Sequence, residues 1–166
     1  MGLRFGREAL FHGSANLNDY GCYGVPVVAP AAGKVIQSRD SESDMTPGAP
    51  SNNTTAPGGN FVAIQLDNGA YLLIAHLKSG SVRVKTGDAV EEGQQIGECG
   101  NSGNTSEPHI HIHLQRQDPD FYSPNFAEGL PLYFRDHDGP HMPQGGVKVE
   151  GDKPIATGDT VQHIGK

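Results

Sequence analysis

The chain has 166 residues and a formal net charge of −7 at pH 7, with 12 lysines and arginines against 19 acidic residues. This balance gives no basic footprint for nucleic acid, and no apolar run is long enough to span a bilayer. The first residues lack the apolar core of a secretion signal. The length suits one domain with a real core and a tail, and 23 glycines and 12 prolines make the chain rich in turns.

Short apolar runs broken by turns predict a mainly β fold, built as an antiparallel sheet or open barrel. The clearest signal is a hairpin, in which two apolar runs flank Asp67, Asn68 and Gly69. Residues 38–60 form a long polar loop, and such loops are usually functional rims or disordered segments. The predicted strands are 25–30, 33–37, 60–66, 70–75, 81–85, 95–99, 109–115 and 147–149.

Three histidines stand at alternate positions, His109, His111 and His113, and a fourth, His76, lies upstream. Side chains alternate between the faces of a strand, so the three would project from one side. Imidazoles that are neutral at pH 7 suit a borderline-soft ion such as Zn²⁺. A polar strand face whose histidines only form hydrogen bonds is the alternative. Three in register, after a Gly/Asn/Ser/Thr turn and a proline, favour a metal or catalytic site.

Several motifs in a consistent order give the chain a family resemblance. The stretch Gly-Asn-Ser-Gly-Asn-Thr at 100–105 and the stretch Pro-His-Ile-His at 108–111 are similar to the closing motif of one family. Over about residues 24–115 the chain resembles the lysostaphin-type (LytM-like) zinc metallopeptidases, which are peptidoglycan endopeptidases. The other matching stretches are 24–35, 59–64, 75–77, 87–90 and 93–97.

The resemblance implies a groove on an antiparallel β-sheet, of the duplicated hybrid motif kind. It also implies a zinc-dependent endopeptidase that hydrolyses peptide bonds in bacterial cell-wall peptidoglycan and is extracellular, periplasmic or associated with the cell wall. The family's pattern assigns zinc binding to His111, and places His76 and His109 beside the water and the tetrahedral intermediate. His113 stands where the family often has an acidic or amide residue. The chemistry is plausible without the family, because Zn²⁺ lowers the pKa of bound water and nearby imidazoles move protons.

The N-terminal segment departs from the family, which takes its other two zinc ligands from a His-x-x-x-Asp motif. His12 has the spacing, but Asn16 stands in place of the aspartate, and an uncharged amide is a poor zinc ligand. Asp19 lies three residues later, so His12 and Asp19 are one candidate pair of metal ligands. In the other interpretation the two ligands lie upstream, in a segment absent from this chain. With His111 as the one secure ligand, we expect weak zinc binding and poor peptidase activity, unless the loop that carries His12 completes the site.

Two other functions remain open. A catalytically inactive module of the same fold would bind the cell wall or regulate a partner hydrolase. A phosphocarrier-like β domain would also use paired histidines, but Pro-His-Ile-His after a Gly/Asn/Ser turn fits a peptidase better. Metal content separates the first alternative from the peptidase, and phosphoryl transfer to a histidine would identify the second.

Composition and resemblance together divide the chain into three parts. These are an N-terminal segment (1–23), truncated or divergent, a peptidase domain (24–127) and a Pro/Gly-rich C-terminal extension (128–166). Cys22 and Cys99 allow one disulfide or two buried thiols, and the sequence favours neither. A bridge would tie the segment before the first strand to the strand that precedes the histidine motif.

Overall fold

Two compact units make up the chain, one formed by Arg4–Leu130 and the other by Met1–Leu3 with Pro131–Lys166. The computed structural model describes residues 14–49, 53–118, 129–132, 147–150 and 153–156. The predicted metal ligand His12 lies outside these described residues. The functional division of the chain at 23 and 127 stays a prediction.

The larger unit is built on a six-stranded sheet in the order β5-β2-β3-β4-β7-β8, beside a separate pair of β1 and β6. All of these pairings are antiparallel, so the predicted fold class is confirmed. In the described part of the chain the one helical segment is a single 3₁₀ turn, and no helix there is long and apolar enough to cross a membrane. In chain order the strands of this unit are β1 (Pro26–Val28), β2 (Gly33–Arg39), β3 (Asn60–Leu66), β4 (Tyr71–Leu77), β5 (Ala89–Val90), β6 (Gln95–Glu98), β7 (His111–Gln115) and β8 (Gly129–Leu130).

In the smaller unit, β9 (Val147–Glu150) and β10 (Lys153–Ala156) pair antiparallel. The strand predicted at 147–149 is therefore confirmed. Lys153 pairs with Glu150 at the closed end of this hairpin.

The β3–β4 hairpin forms where the sequence predicts it, around Asn68 and Gly69. Gly69 adopts a φ of 83°, a left-handed conformation that residues with a side chain rarely take. The amide of Ala70 donates to the Asn68 side chain at 3.0 Å, so the turn satisfies its own polar groups. Both strands are buried along most of their length, which explains why their central residues, 61–64 and 72–75, are continuously apolar instead of alternating.

The core lies around these two strands and holds β4 in place almost to its end. One cluster joins both strands and is covered by a side chain of β2. Because neighbours on either side pack β4, its backbone is fixed at the position that carries His76. The residues of that cluster are Phe61, Ala63, Leu73 and Ala75, with Ile36 packed against them.

The strand predicted at 81–85 is wrong, because that segment has no strand conformation. The carboxylate of Asp40 accepts hydrogen bonds from the backbone amides of Gly80 at 2.8 Å and Val82 at 3.2 Å. A side chain therefore satisfies donors that a neighbouring strand would otherwise pair with. The alternating pattern of the segment does not reveal this competition.

Cys22 and Cys99 form a disulfide, which decides between the two alternatives that the sequence left open. Their Cα atoms are 5.8 Å apart, within the usual range, and 77 residues separate them in the chain. Two backbone hydrogen bonds of 2.8 Å cross the same junction, from Gly24 to the Cys99 carbonyl and from Cys99 to the Val25 carbonyl. The bridge thus ties the segment before β1 to the chain that leads into the histidine motif.

Reduction of this disulfide is expected to lower the free energy of unfolding by about 4 kcal/mol, because the bridge closes a long loop in the unfolded chain. Urea unfolding with and without reductant measures the difference. A Cys22→Ala/Cys99→Ala variant is the matched control, since reductant should leave its midpoint unchanged. Thiol titration of the unfolded, untreated protein should find no free thiol, and two free thiols would contradict the bridge.

Candidate active site

His76 lies near the end of β4 in a backbone conformation that costs energy. Its φ of 62° is positive, the one such value outside glycine in the described residues. Two hydrogen bonds hold this peptide: the His76 amide donates to the Gly58 carbonyl at 3.0 Å, and the Gly100 amide donates to the His76 carbonyl at 3.1 Å. Strained backbone of this kind persists only where the surroundings fix it, and it concentrates at functional sites.

The His76 side chain is buried, with 6% of the residue's surface exposed, and its Nδ1 is 2.8 Å from the carbonyl oxygen of Ser102. A carbonyl can only accept, so Nδ1 carries the proton and Nε2 keeps the lone pair. Burial lowers the pKa of His76 to about 4, although the hydrogen bond to Ser102 opposes this shift. At neutral pH His76 is therefore an uncharged imidazole that presents Nε2 as an acceptor.

Ser102 is itself fixed by a buried network of polar groups. Its Oγ accepts from the amide of Asn60 at 2.9 Å and donates to the carbonyl of Leu77 at 2.6 Å. Neither Asn60 nor Ser102 has measurable exposed surface, at 0% each. Gly59 permits the close approach, because a Cβ at that position would lie 2.3 Å from the Ser102 carbonyl oxygen. The sequence motifs that contain these residues indicate no role for them, yet they set the position of the acceptor that holds His76.

His109 lies beside His76, with 4.6 Å between the two ring centroids. Its Nδ1 is 2.8 Å from the carbonyl oxygen of Glu107 and 3.3 Å from the hydroxyl of Thr105. The carbonyl again requires a proton on Nδ1 and leaves the lone pair on Nε2. His109 is exposed, whereas His76 is buried, so the two rings present the same nitrogen in different environments.

The strand predicted at 109–115 is too long, because β7 begins at His111 and His109 forms an isolated bridge with Gly100. The hydrogen bond from the His109 ring to the preceding Glu107 carbonyl turns the chain back towards residue 107 before the strand starts.

An open, mostly apolar groove adjoins His109. Its walls include the Cys22–Cys99 disulfide, Val25, Val27, Pro108 and Ile110.

His111 completes a cluster of three rings. β7 pairs with β4 so that His111 is opposite Ala75, and the ring centroid of His111 is 6.0 Å from that of His76. Desolvation lowers the pKa of His111, and the neighbouring His113 and His109 lower it further. Its Nε2 is 2.8 Å from Nδ1 of His113. The structure therefore brings together His76, His109 and His111, the three site residues that the resemblance implied.

A known protein family matches the part of the chain that carries this cluster. The family model described as Peptidase family M23 matches residues 18–122, which is more than half of the chain. The chain belongs to Peptidase family M23. The family resemblance inferred from the sequence is thereby confirmed.

Two curated relatives match part of the chain. The chain is 33% identical over 91 residues to the peptidoglycan DD-endopeptidase ShyA of Vibrio cholerae, and this match covers 55% of this chain and 17% of that protein. The chain is also 29% identical over 103 residues to the cell division protein DipM of Caulobacter vibrioides, and this match covers 62% of this chain and 15% of that protein. The matched part is therefore less than a fifth of either relative.

Among solved structures, the catalytic domain of the prophage-encoded M23 protein EnpA from Enterococcus faecalis is 23% identical, with a TM-score of 0.48. The match covers 65% of this chain and 67% of that structure.

The predicted ligand Asp19 has its contacts within its own loop. It is exposed at the end of the 3₁₀ turn Leu17–Asp19. Its carboxylate accepts from the hydroxyl of Ser14 at 2.5 Å and from the side-chain amide of Asn16 at 3.5 Å. With His12 outside the described residues, the role of these two residues stays a prediction.

Zinc fits the chemistry of the M23 domain's histidines but not the number of ligands described. Neutral imidazole nitrogens are good zinc ligands, and a catalytic zinc needs about three protein ligands with one position left for water. Within the ranges that the structure describes, no three His, Cys, Asp or Glu side chains are arranged so that they could hold a metal ion. The described residues therefore do not complete a zinc site.

Acid is expected to destabilise the metal-free M23 domain through His76. Its folded pKa of about 4 lies below the ordinary value of 6.5, so the unfolded chain binds the proton first. Stability is then fully present above pH 6.5 and is lost as the pH falls towards 4, by at most about 3 kcal/mol. Urea unfolding at several pH values, compared between the parent and His76→Asn, isolates this contribution. Equal pH dependence in the two proteins would contradict it.

Proposed function

We propose that this M23 chain is an endopeptidase that hydrolyses peptide bonds in bacterial peptidoglycan and acts in the periplasm or outside the cell. The observation that carries the proposal is the pair of His76 and His109, with ring centroids 4.6 Å apart and each Nδ1 proton held by a backbone carbonyl. Membership of a peptidase family and the likeness to a peptidoglycan DD-endopeptidase support it. The apolar groove beside His109 offers a surface for an extended peptide.

The environments of the two rings suggest different tasks. A pKa of about 4 makes His76 a weak base at neutral pH, so its Nε2 is suited to accept a hydrogen bond from the attacking water and orient it. His109 is exposed, and its hydrogen bond from Nδ1 to the Glu107 carbonyl leaves the Nε2 lone pair to accept a proton. We therefore assign to His109 the removal of the water proton and its delivery to the leaving amine.

We propose His111 as a metal ligand, with zinc as the metal that the resemblance implies. Its neutral ring supports this assignment, because a ligating nitrogen must be unprotonated. His12 and Asp19 remain the candidates for further ligands. Because the described residues do not complete a metal site, we derive no step of the reaction through the ion.

The incomplete set of metal ligands among the described residues favours one second candidate function. This is a catalytically inactive module that binds the cell wall or regulates a partner hydrolase. Such a module needs the groove but not the two proton-transfer histidines. The phosphocarrier interpretation has no observation in its favour, since the family that matches is a family of peptidases.

The test is digestion of purified peptidoglycan and of its cross-linked stem peptides by the full chain, with and without added Zn²⁺. Mass spectrometry identifies any new amine, and therefore the bond cleaved. His109→Ala is the matched control, because it removes the proposed proton carrier on an exposed side chain. Cleavage by the parent that this variant lacks supports the endopeptidase. A folded parent that sediments with peptidoglycan but releases no amine supports the inactive module.

A further inference from the structure

Polar side chains on β7 form a row of hydrogen bonds that starts at the candidate site. His111, His113 and Gln115 are alternate residues of one strand and so lie on one face. His111 Nε2 is 2.8 Å from His113 Nδ1, and His113 Nε2 is 2.6 Å from Gln115 Oε1. The row ends where Gln115 Nε2 donates to the backbone carbonyl of Gln117 at 2.8 Å.

The Gln117 carbonyl sets the direction of the whole row. Because a carbonyl only accepts, the amide nitrogen of Gln115 must face it, and Gln115 Oε1 must face His113. Oε1 also only accepts, so His113 carries a proton on Nε2. In neutral His113 the remaining nitrogen, Nδ1, is then an acceptor, and His111 must donate to it from Nε2.

We infer that His113 and Gln115 are positioning residues, which hold His111 as its Nε2–H tautomer so that Nδ1 is the nitrogen it offers to the site. This is the reverse of His76 and His109, whose Nδ1 protons are fixed by backbone carbonyls. The tautomer assignment stands on the hydrogen bonds alone, whereas its effect on turnover rests on the proposed peptidase function.

The anchor of the row is rigid. Gln115 is 7% exposed, and it pairs on one side with Tyr71 of β4 and on the other with Gly129 of β8. The rings of His111 and His113 are 5.1 Å apart and almost perpendicular, at 88°. A buried amide between paired strands cannot turn over without losing its own partners, so its direction is imposed on both rings.

The experiment records imidazole ¹⁵N–¹H spectra of the full chain at pH 8, with His111→Ala used to assign the His111 signals. The parent should give a pyrrole-type Nε2 and a pyridine-type Nδ1 for His111. His113→Glu is the conservative variant, because its carboxylate also accepts, and it should keep that spectrum. His113→Leu removes the acceptor, so His111 should become a mixture of tautomers.

Turnover of stem peptides by the same three proteins is the second readout. His113→Leu should lower kcat by about 10–100-fold with little change in KM, and His113→Glu should restore most of it, as expected for a group that orients another. A parent spectrum with the proton on Nδ1 of His111, or a His113→Leu spectrum identical to the parent's, would overturn the inference. If the parent has no turnover, the peptidase proposal fails while the spectra still decide the tautomer.

Discussion

Replacement of His76 by asparagine is expected to lower kcat/KM for peptide hydrolysis by about 10²–10⁴-fold, the usual contribution of a group that assists proton transfer. Asparagine is the informative substitution because it tolerates the positive φ of 62° that this position adopts. Its short amide cannot replace the Nε2 lone pair that the buried ring presents. The fold should therefore survive while the water loses its partner.

Steady-state kinetics and urea unfolding at pH 7.5 measure the two effects on the same protein. His76→Gly is a second variant with an unstrained backbone and no side chain, so it should match His76→Asn in activity. If His76→Asn retains activity within about 3-fold of the parent at equal stability, His76 takes no part in the reaction. In that case the strained backbone serves only to pack the end of β4.

Strands could be predicted from the sequence alone where no distant side chain competes for their backbone hydrogen bonds. The β3–β4 hairpin follows from two apolar runs around Asn68 and Gly69, and tertiary contacts only reinforce what the turn already specifies. The segment at 81–85 has a similar pattern, but the carboxylate of Asp40 accepts hydrogen bonds from the backbone amides of Gly80 and Val82. Asp40 lies about forty residues away in the sequence. A contact between a side chain and a backbone segment far away in the sequence leaves no periodic pattern, so strand propensity cannot reveal it.

The residues of the candidate site also fall into those that the sequence predicts and those that it does not. Alternation and family resemblance identified His76, His109 and His111, because each lies within a short motif. The sequence did not reveal that Ser102 is the acceptor for His76, although the adjacent Gly103 was visible. That glycine matters because a Cβ at Gly103 would lie 2.3 Å from the amide nitrogen of Gly59, so the two loops meet backbone to backbone.

Removal of the His111 side chain is expected to abolish zinc retention, whereas His109→Ala should bind zinc as the parent does. Loss of an outer partner alone costs about 10–100-fold in affinity, so loss of a ligand should raise the Kd by more than about 100-fold. Equilibrium dialysis against Zn²⁺ with metal analysis of each protein gives the values. His109→Ala is the matched control, because its ring lies in the same cluster and His109, like His111, is an exposed residue.

The parent itself is expected to hold zinc weakly, because no group among the described residues converges with the proposed ligand His111 to complete a site. Low occupancy after dialysis, with slow peptide turnover, is the expected result. Stoichiometric zinc that Asp19→Ala removes, together with turnover that the same variant destroys, would contradict this expectation. It would mean that the loop of Asp19 leaves its contacts with Ser14 and Asn16 and closes over the histidines. Equal zinc retention by the parent and His111→Ala would instead show that His111 is not a ligand.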